Sequence, residues 1–193
     1  MTPEEYFEWE QTQEVRHEYY EGEVFAMSGA THHHALITAN LIVALGTALR
    51  GSGCRVLSSD MRVQLAEGVR YTYPDLSVVC GEPAFADDRE LTLLNPTLLV
   101  EVLSPSTAEY DRGDKFAAYR RLPSLREVVF VEQERRSIEV FRRGDEGRWT
   151  LYELEGGAVA LASVGATLRA EEVYDGVDFA AEAGGPPGRT EAS

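Results

Sequence analysis

Lysine is almost absent from this chain of 193 residues: 17 arginines accompany a single lysine, Lys115. Cysteine is nearly as scarce. Cys54 and Cys80 stand 26 residues apart, outside any C-x-x-C or Cys/His array, so they read as reduced core thiols rather than as a disulfide. Long apolar runs are missing too. The richest stretch, Ala35 to Leu49, is broken by Thr38, Asn40, Gly46 and Thr47 and falls short of the roughly 18 residues a membrane span needs. The first residues lack the basic start, apolar centre and small-residue cleavage site of a secretion signal, so a cytoplasmic location and no membrane partner are expected. Positive charge is in deficit, 18 basic against 33 acidic residues for a net −15. That balance argues against a protein that coats nucleic acid nonspecifically. It leaves room for a local basic face, depending on where Arg55, Arg62, Arg70, Arg112, Arg120, Arg121 and Arg126 lie.

What is present is the material of a folded domain. The 44% hydrophobic and 26% charged residues exclude disordered or collagen-like chains, and the length suggests one domain over residues 1–179. Residues 180–193 have no apolar period and read as a disordered tail. Thr2, Pro3 and Glu5 have capping-box spacing, predicting a helix to about Gln13. Strands at Arg16–Tyr20 and Glu23–Met27 flank a Glu21-Gly22 turn. From His32 or His33 to Arg50 the apolar spacing is helical. Strands follow at Arg55–Ser58, Met61–Leu65 and Tyr71–Cys80, then a surface connection over residues 81–95. Thr97–Leu103 is nearly all apolar, as in a strand covered on both faces. A helix from Asp111, its cap, to Leu122 leads to strands at Glu127–Val131, Ser137–Phe141 and Arg148–Leu154.

Two acids interrupt these strands, Asp75 after Pro74 and Glu101 between Val100 and Val102. A buried carboxylate is costly unless paired, hydrogen-bonded or bound to metal. Acids on two neighbouring strands suit a hydrated Mg²⁺, with Mn²⁺ as a substitute, and such an ion activates water and stabilises charge on a phosphodiester. The plainer alternative pairs Glu101 with a buried arginine and leaves Asp75 to bend its chain. His32 and His34 form a His-x-His pair that suggests a cupin-like metal site, but the helical pattern that continues from them opposes it. Glu18, Glu21 and Glu23 read as an acidic solvated turn, and Tyr119 shares a helix face with Lys115.

Three segments together carry a resemblance: Tyr73-Pro74-Asp75, Glu101-Val102-Leu103-Ser104-Pro105-Ser106-Thr107, and Asp111-Arg112-Gly113-Asp114-Lys115 through Tyr119. Over residues 5–178 the chain resembles the Uma-type restriction endonuclease family, also called domain of unknown function 820, within the PD-(D/E)XK nuclease superfamily. The resemblance implies an α/β fold with a restriction-endonuclease-like core, a mixed central sheet flanked by helices, an N-terminal hairpin and C-terminal strands. It implies a Mg²⁺-dependent endonuclease acting on DNA, with Asp75 and Glu101 as metal ligands and His34 as a third ligand or phosphate contact. The superfamily's lysine stands two residues after the strand acid, where this chain has Leu103, so the resemblance suggests a lysine that has migrated to Lys115. It leaves some chance that Glu18 approaches the site. The competing readings are a catalytically silent DNA-binding or protein-interaction module on the same fold and, further off, the cupin-like protein. RNA also stands as a substrate. Exposed sheet edges suggest a homodimer.

Overall fold

The computed structural model describes residues 1–27, 29–65 and 69–179, so the expected tail lies outside the described residues. Helix α1 (Pro3–Glu10) starts in the capping box the sequence announces: the Thr2 hydroxyl accepts from Glu5 N–H, and the Glu5 carboxylate accepts from Thr2 N–H. Strands β1 (His17–Tyr20) and β2 (Glu23–Ala26) then form a hairpin. Its two turn residues, Glu21 and Gly22, have φ of 48° and 95°, the paired positive values that a two-residue hairpin turn requires. Helix α2 (His32–Ala48) is capped by the Thr31 hydroxyl, which accepts from His34 N–H.

Next come β3 (Cys54–Ser58), β4 (Arg62–Leu65), β5 (Arg70–Thr72), β6 (Leu76–Cys80), the short β7 (Thr92–Leu93) and β8 (Leu98–Leu103). The single strand expected over Tyr71–Cys80 is two strands. Pro74 cannot donate to a ladder, and at Tyr73-Pro74-Asp75 the chain leaves one sheet and enters another. β5 belongs to a five-stranded sheet of order β2-β1-β5-β4-β7. β6 belongs to a six-stranded mixed sheet of order β11-β10-β9-β8-β6-β3, completed by β9 (Glu127–Glu132), β10 (Ile138–Arg143) and β11 (Trp149–Leu154). In it β8 runs parallel to β9 and antiparallel to β6.

All six residues of β8 are buried, and its alternation sorts them between two layers. Leu98, Val100 and Val102 join the core beneath α2, while Leu99 and Leu103 join the core on the other face with Phe116, Tyr119 and Leu122. Glu101 has the parity of Leu99 and Leu103, which turns its carboxylate toward that second layer. The segment forming the layer is helical over residues 108–119: α3 (Ala108–Tyr110), a π-helical turn (Asp111–Lys115) and α4 (Phe116–Tyr119). Its start corrects one expectation. Asp111 does not cap the helix, which begins three residues earlier, but lies inside it and is buried. A hairpin of β12 (Ala158–Leu161) and β13 (Ala166–Arg169) and a last turn, α5 (Ala170–Val173), were not anticipated. They pack on α2, where the Asn40 side-chain amide donates to the Val173 and Asp175 carbonyls.

Cys54 and Cys80 are directly opposite each other on β3 and β6 and form a disulfide. The reading as free thiols fails because the antiparallel register brings the two sulfurs together, a juxtaposition that a separation of 26 residues conceals. Among the described residues no helix is long and apolar enough to cross a membrane.

Candidate active site

The elbow at Pro74 places Asp75 at the head of β6, where its Oδ2 accepts a hydrogen bond from Val102 N–H on β8 (2.7 Å). Its Oδ1 lies 3.3 Å from His34 Nε2, on the first turn of α2. β8 and α2 therefore each engage one of its two oxygens. Thr31 extends the support, because its hydroxyl also donates to the buried Gln133 Oε1 at the end of β9 (2.6 Å).

Across β8, Glu101 is 4% exposed and Lys115 5% exposed. Lys115 Nζ stands 2.9 Å from Glu101 Oε1, 3.1 Å from Glu18 Oε1 and 3.4 Å from Asp111 Oδ1. The π turn buries both Asp111 and Lys115, and such turns recur at functional sites because they re-aim side chains within a helix. Tyr119, one turn on, donates its hydroxyl to Glu101 Oε1. Glu18 receives the Thr72 hydroxyl on one oxygen and the Tyr110 hydroxyl on the other. The reading of Glu18 as part of a solvated turn is thus corrected: Glu21 and Glu23 are exposed, but strand alternation turns Glu18 inward onto Lys115.

The electrostatics follow from burial opposed by neighbours. Desolvation pushes the Glu101 carboxyl up to about 8, with Asp111 and Asp75 adding to the rise and Lys115 and Tyr119 opposing it. Burial also raises Asp111 against the pull of Lys115. For Glu18 burial is outweighed by Lys115, Thr72 and Tyr110, and its carboxyl is held below the ordinary value. Burial would discharge Lys115, yet Glu101, Tyr119, Glu18 and Asp111 hold it firmly charged. Burial pulls His34 down, but Asp75, Asp111 and the Val102 backbone more than reverse this and favour the imidazolium. Four carboxyl groups thus share one ammonium and one histidine in a poorly hydrated place, and burial makes ionising Glu101 and Asp111 costly.

The cost of ionising Glu101 there, and the position of Asp75 at the head of β6 while Glu101 lies on its paired strand β8, fit a hydrated Mg²⁺-type ion that takes few protein oxygens and keeps several waters. A site of three side chains is not assembled: among the described residues no group of three or more His, Cys, Asp or Glu is placed to hold a metal ion. The contact shown for His34 is with Asp75, so it holds a carboxylate in place rather than completing a set with Asp75 and Glu101. His32 and His34 are both within α2, which removes the cupin-like reading.

Asp75 and His34 open onto a cleft of about 550 Å³. Its walls come from the end of α1 and the following loop, the β3–β4 turn, the start of β4, the elbow and the residues before α2, among them Glu10, Arg16, Asp60, Arg62 and Tyr73. Sequence reasoning missed Arg16 and Asp60, which are 44 residues apart and meet only in the fold.

The mixed sheet, the helix on each face and the elbow acid beside a strand acid define a restriction-endonuclease-like nuclease fold. The crystal structure of "a putative nuclease belonging to DUF820" from Anabaena variabilis ATCC 29413 matches with a TM-score of 0.73, covering 90% of this chain and 97% of that one at 15% identity, a likeness of fold. Residues 3–171 match the family described as "Uma2: Putative restriction endonuclease", and the chain belongs to that family. Two relatives come from Synechocystis sp. (strain ATCC 27184 / PCC 6803 / Kazusa). "Uncharacterized protein slr1290" is 35% identical over 182 residues, 93% of this chain and 94% of the relative. "Uncharacterized protein sll1609" is 34% identical over 156 residues, 81% and 88% of the two chains.

Proposed function

We propose that this protein is a divalent-metal-dependent endonuclease that hydrolyses phosphodiester bonds in DNA. The observation that carries the reading is the delivery of the chain's one lysine, from the helical segment after β8, to within 2.9 Å of Glu101. Asp75 and Glu101 would hold Mg²⁺, which when bound supplies Lewis-acid stabilisation of the phosphoryl oxygens and a more acidic water. Lys115 orients the attacking water and offsets charge gathering at the scissile phosphate. Being held charged, it acts by position and electrostatics rather than as a free base. Tyr119 and Asp111 keep Glu101 and Lys115 in register, and His34 fixes Asp75.

The experiment is a cleavage assay of wild type and Asp75→Ala with Mg²⁺, Mn²⁺ or chelator, on single- and double-stranded DNA and on RNA. Metal-dependent cleavage of DNA that Asp75→Ala abolishes is the expected result. Cleavage that persists in chelator or in the variant would overturn the assignment. A second reading, a silent binding module, is favoured by one feature: three carboxylates already engage the ammonium. It predicts nucleic-acid binding without cleavage under every metal condition.

A further inference from the structure

An acidic protein that binds a polyanion must place its few cations where the phosphates lie. Among the described residues lining the cleft above Asp75, two carry permanent positive charge, Arg16 and Arg62. Arg62 is committed to the fold. Its guanidinium is buried, donates twice to Thr92 Oγ1 (2.8 and 3.0 Å), reaches the Tyr73 hydroxyl and lies 4.4 Å from the centre of the Phe7 ring. Arg16 is differently placed. It sits at the surface, 5.7 Å from the Tyr73 ring centre and so two residues from Asp75, and among the described residues its ion pair is with Asp60.

That pair spans the cleft wall, joining the loop after α1 to the β3–β4 turn. Both side chains are largely exposed, 46% for Arg16 and 72% for Asp60, and pairs of this kind are weak and readily exchanged. The two ends are not equally free. Asp60 is anchored, its Oδ2 accepting from the Ser58 hydroxyl (3.2 Å) and its N–H donating back to Ser58 Oγ (3.4 Å). Arg16 is the partner that can move, and its planar fork matches a phosphate as well as it matches a carboxylate.

We infer that Arg16 is a substrate-phosphate contact held in reserve by Asp60: the carboxylate occupies the guanidinium in the free protein, and a phosphodiester oxygen takes its place in the complex. Asp60 is then an internal competitor that weakens apparent affinity. The inference rests on the nucleic-acid reading above and adds to it a binding residue outside the Asp75–Glu101–Lys115 cluster. A merely structural pair would behave otherwise, since loss of either partner would then loosen the same two loops and shift binding in the same direction.

The test is fluorescence anisotropy of a labelled oligonucleotide, duplex and single-stranded, with Ca²⁺ in place of Mg²⁺, across a series of salt concentrations. Asp60→Asn should tighten binding about two- to fivefold, the amount an exposed pair withholds. Arg16→Gln should weaken binding, and the slope of log affinity against log salt should fall by about one unit, as for one lost phosphate contact. The double variant should match Arg16→Gln, because Asp60 acts only through Arg16. Glu146→Gln controls for net charge: it removes the same charge from another exposed pair, Glu146–Arg148, in the β10–β11 turn at the sheet edge opposite β3, and should change little. Equal weakening by Asp60→Asn and Arg16→Gln, no effect of either, or equal tightening by Asp60→Asn and Glu146→Gln would overturn the inference while leaving the nuclease reading in place. Failure of the wild type to bind any oligonucleotide would remove both.

Discussion

Lys115 is the common cation of three carboxyl groups, Glu18, Glu101 and Asp111, and each of them bears on whether the helical segment stays folded. Replacing it by Met leaves Glu18, Glu101 and Asp111 buried without their common cation, a loss of about 3–5 kcal/mol for a broken buried pair. Cleavage by the folded fraction should also fall, by about 10²- to 10³-fold, as when one preorganised stabiliser of developing charge is removed. Chemical denaturation checks the first figure and single-turnover cleavage, below the variant's unfolding range, the second; wild-type stability in Lys115→Met would mean the carboxylates find their compensation elsewhere. Glu18 gives a prediction in pH. Its folded pKa lies below the ordinary value, so its stabilising contribution is complete above the unfolded-state pKa of about 4.3 and is lost as pH falls through the folded value. Denaturation series from neutral to acid pH should therefore show wild type and Glu18→Gln converging in stability as the acid range is entered. A gap that stays constant with pH would assign the effect of the substitution to packing.

At the scale of elements, the pairing of β3 with β6 carries a covalent tie, Cys54–Cys80, that encloses 26 residues of separation. A loop of that length is worth about 3–4 kcal/mol if chain entropy alone is counted. Reduction should lower the denaturation midpoint, and Cys54→Ala/Cys80→Ala should be insensitive to reductant; an unchanged midpoint would mean the strand pair gains nothing from the bond. This tie marks the limit of what was legible beforehand. The helix at α2, the β1–β2 turn and the doubly covered β8 were readable because local chemistry decides them: a helical apolar spacing, a Glu-Gly turn, a run apolar at all but one position. Asp75, Glu101 and Lys115 were singled out by incongruity, acids amid apolar strands and one lysine among arginines. The division of residues 70–80 between two sheets, the inward turn of Glu18 and the pairing of Arg16 with Asp60 depend on contacts between distant segments. The hairpin of β12 and β13 escaped because its strands have four residues each, several of them alanine, and present little apolar pattern.

For the whole molecule, the two larger sheets end in β2 and β11, whose Phe25, Leu151 and Tyr152 are among the exposed large side chains. Unpaired edges of this kind are covered, charged or joined to a second copy, and we propose a homodimer. With a net charge of −15 per chain, like charges oppose the encounter, so association should strengthen as salt screens them. Sedimentation equilibrium at low and moderate ionic strength checks this, and a monomer under both conditions would remove the proposal without touching the site. The solitary lysine has a further use at this scale. A protease that cuts only after lysine has one target in the entire chain, giving fragments 1–115 and 116–193. That bond lies within a helical segment at a residue 5% exposed, so the native protein should resist, and each cut should record an opening of the helix that carries the site. When opening and closing are fast relative to cleavage, the rate reads the population of the open form. A cation bound beside Glu101 should then lengthen the survival of the intact chain, a measure of occupancy that requires no turnover and no substrate.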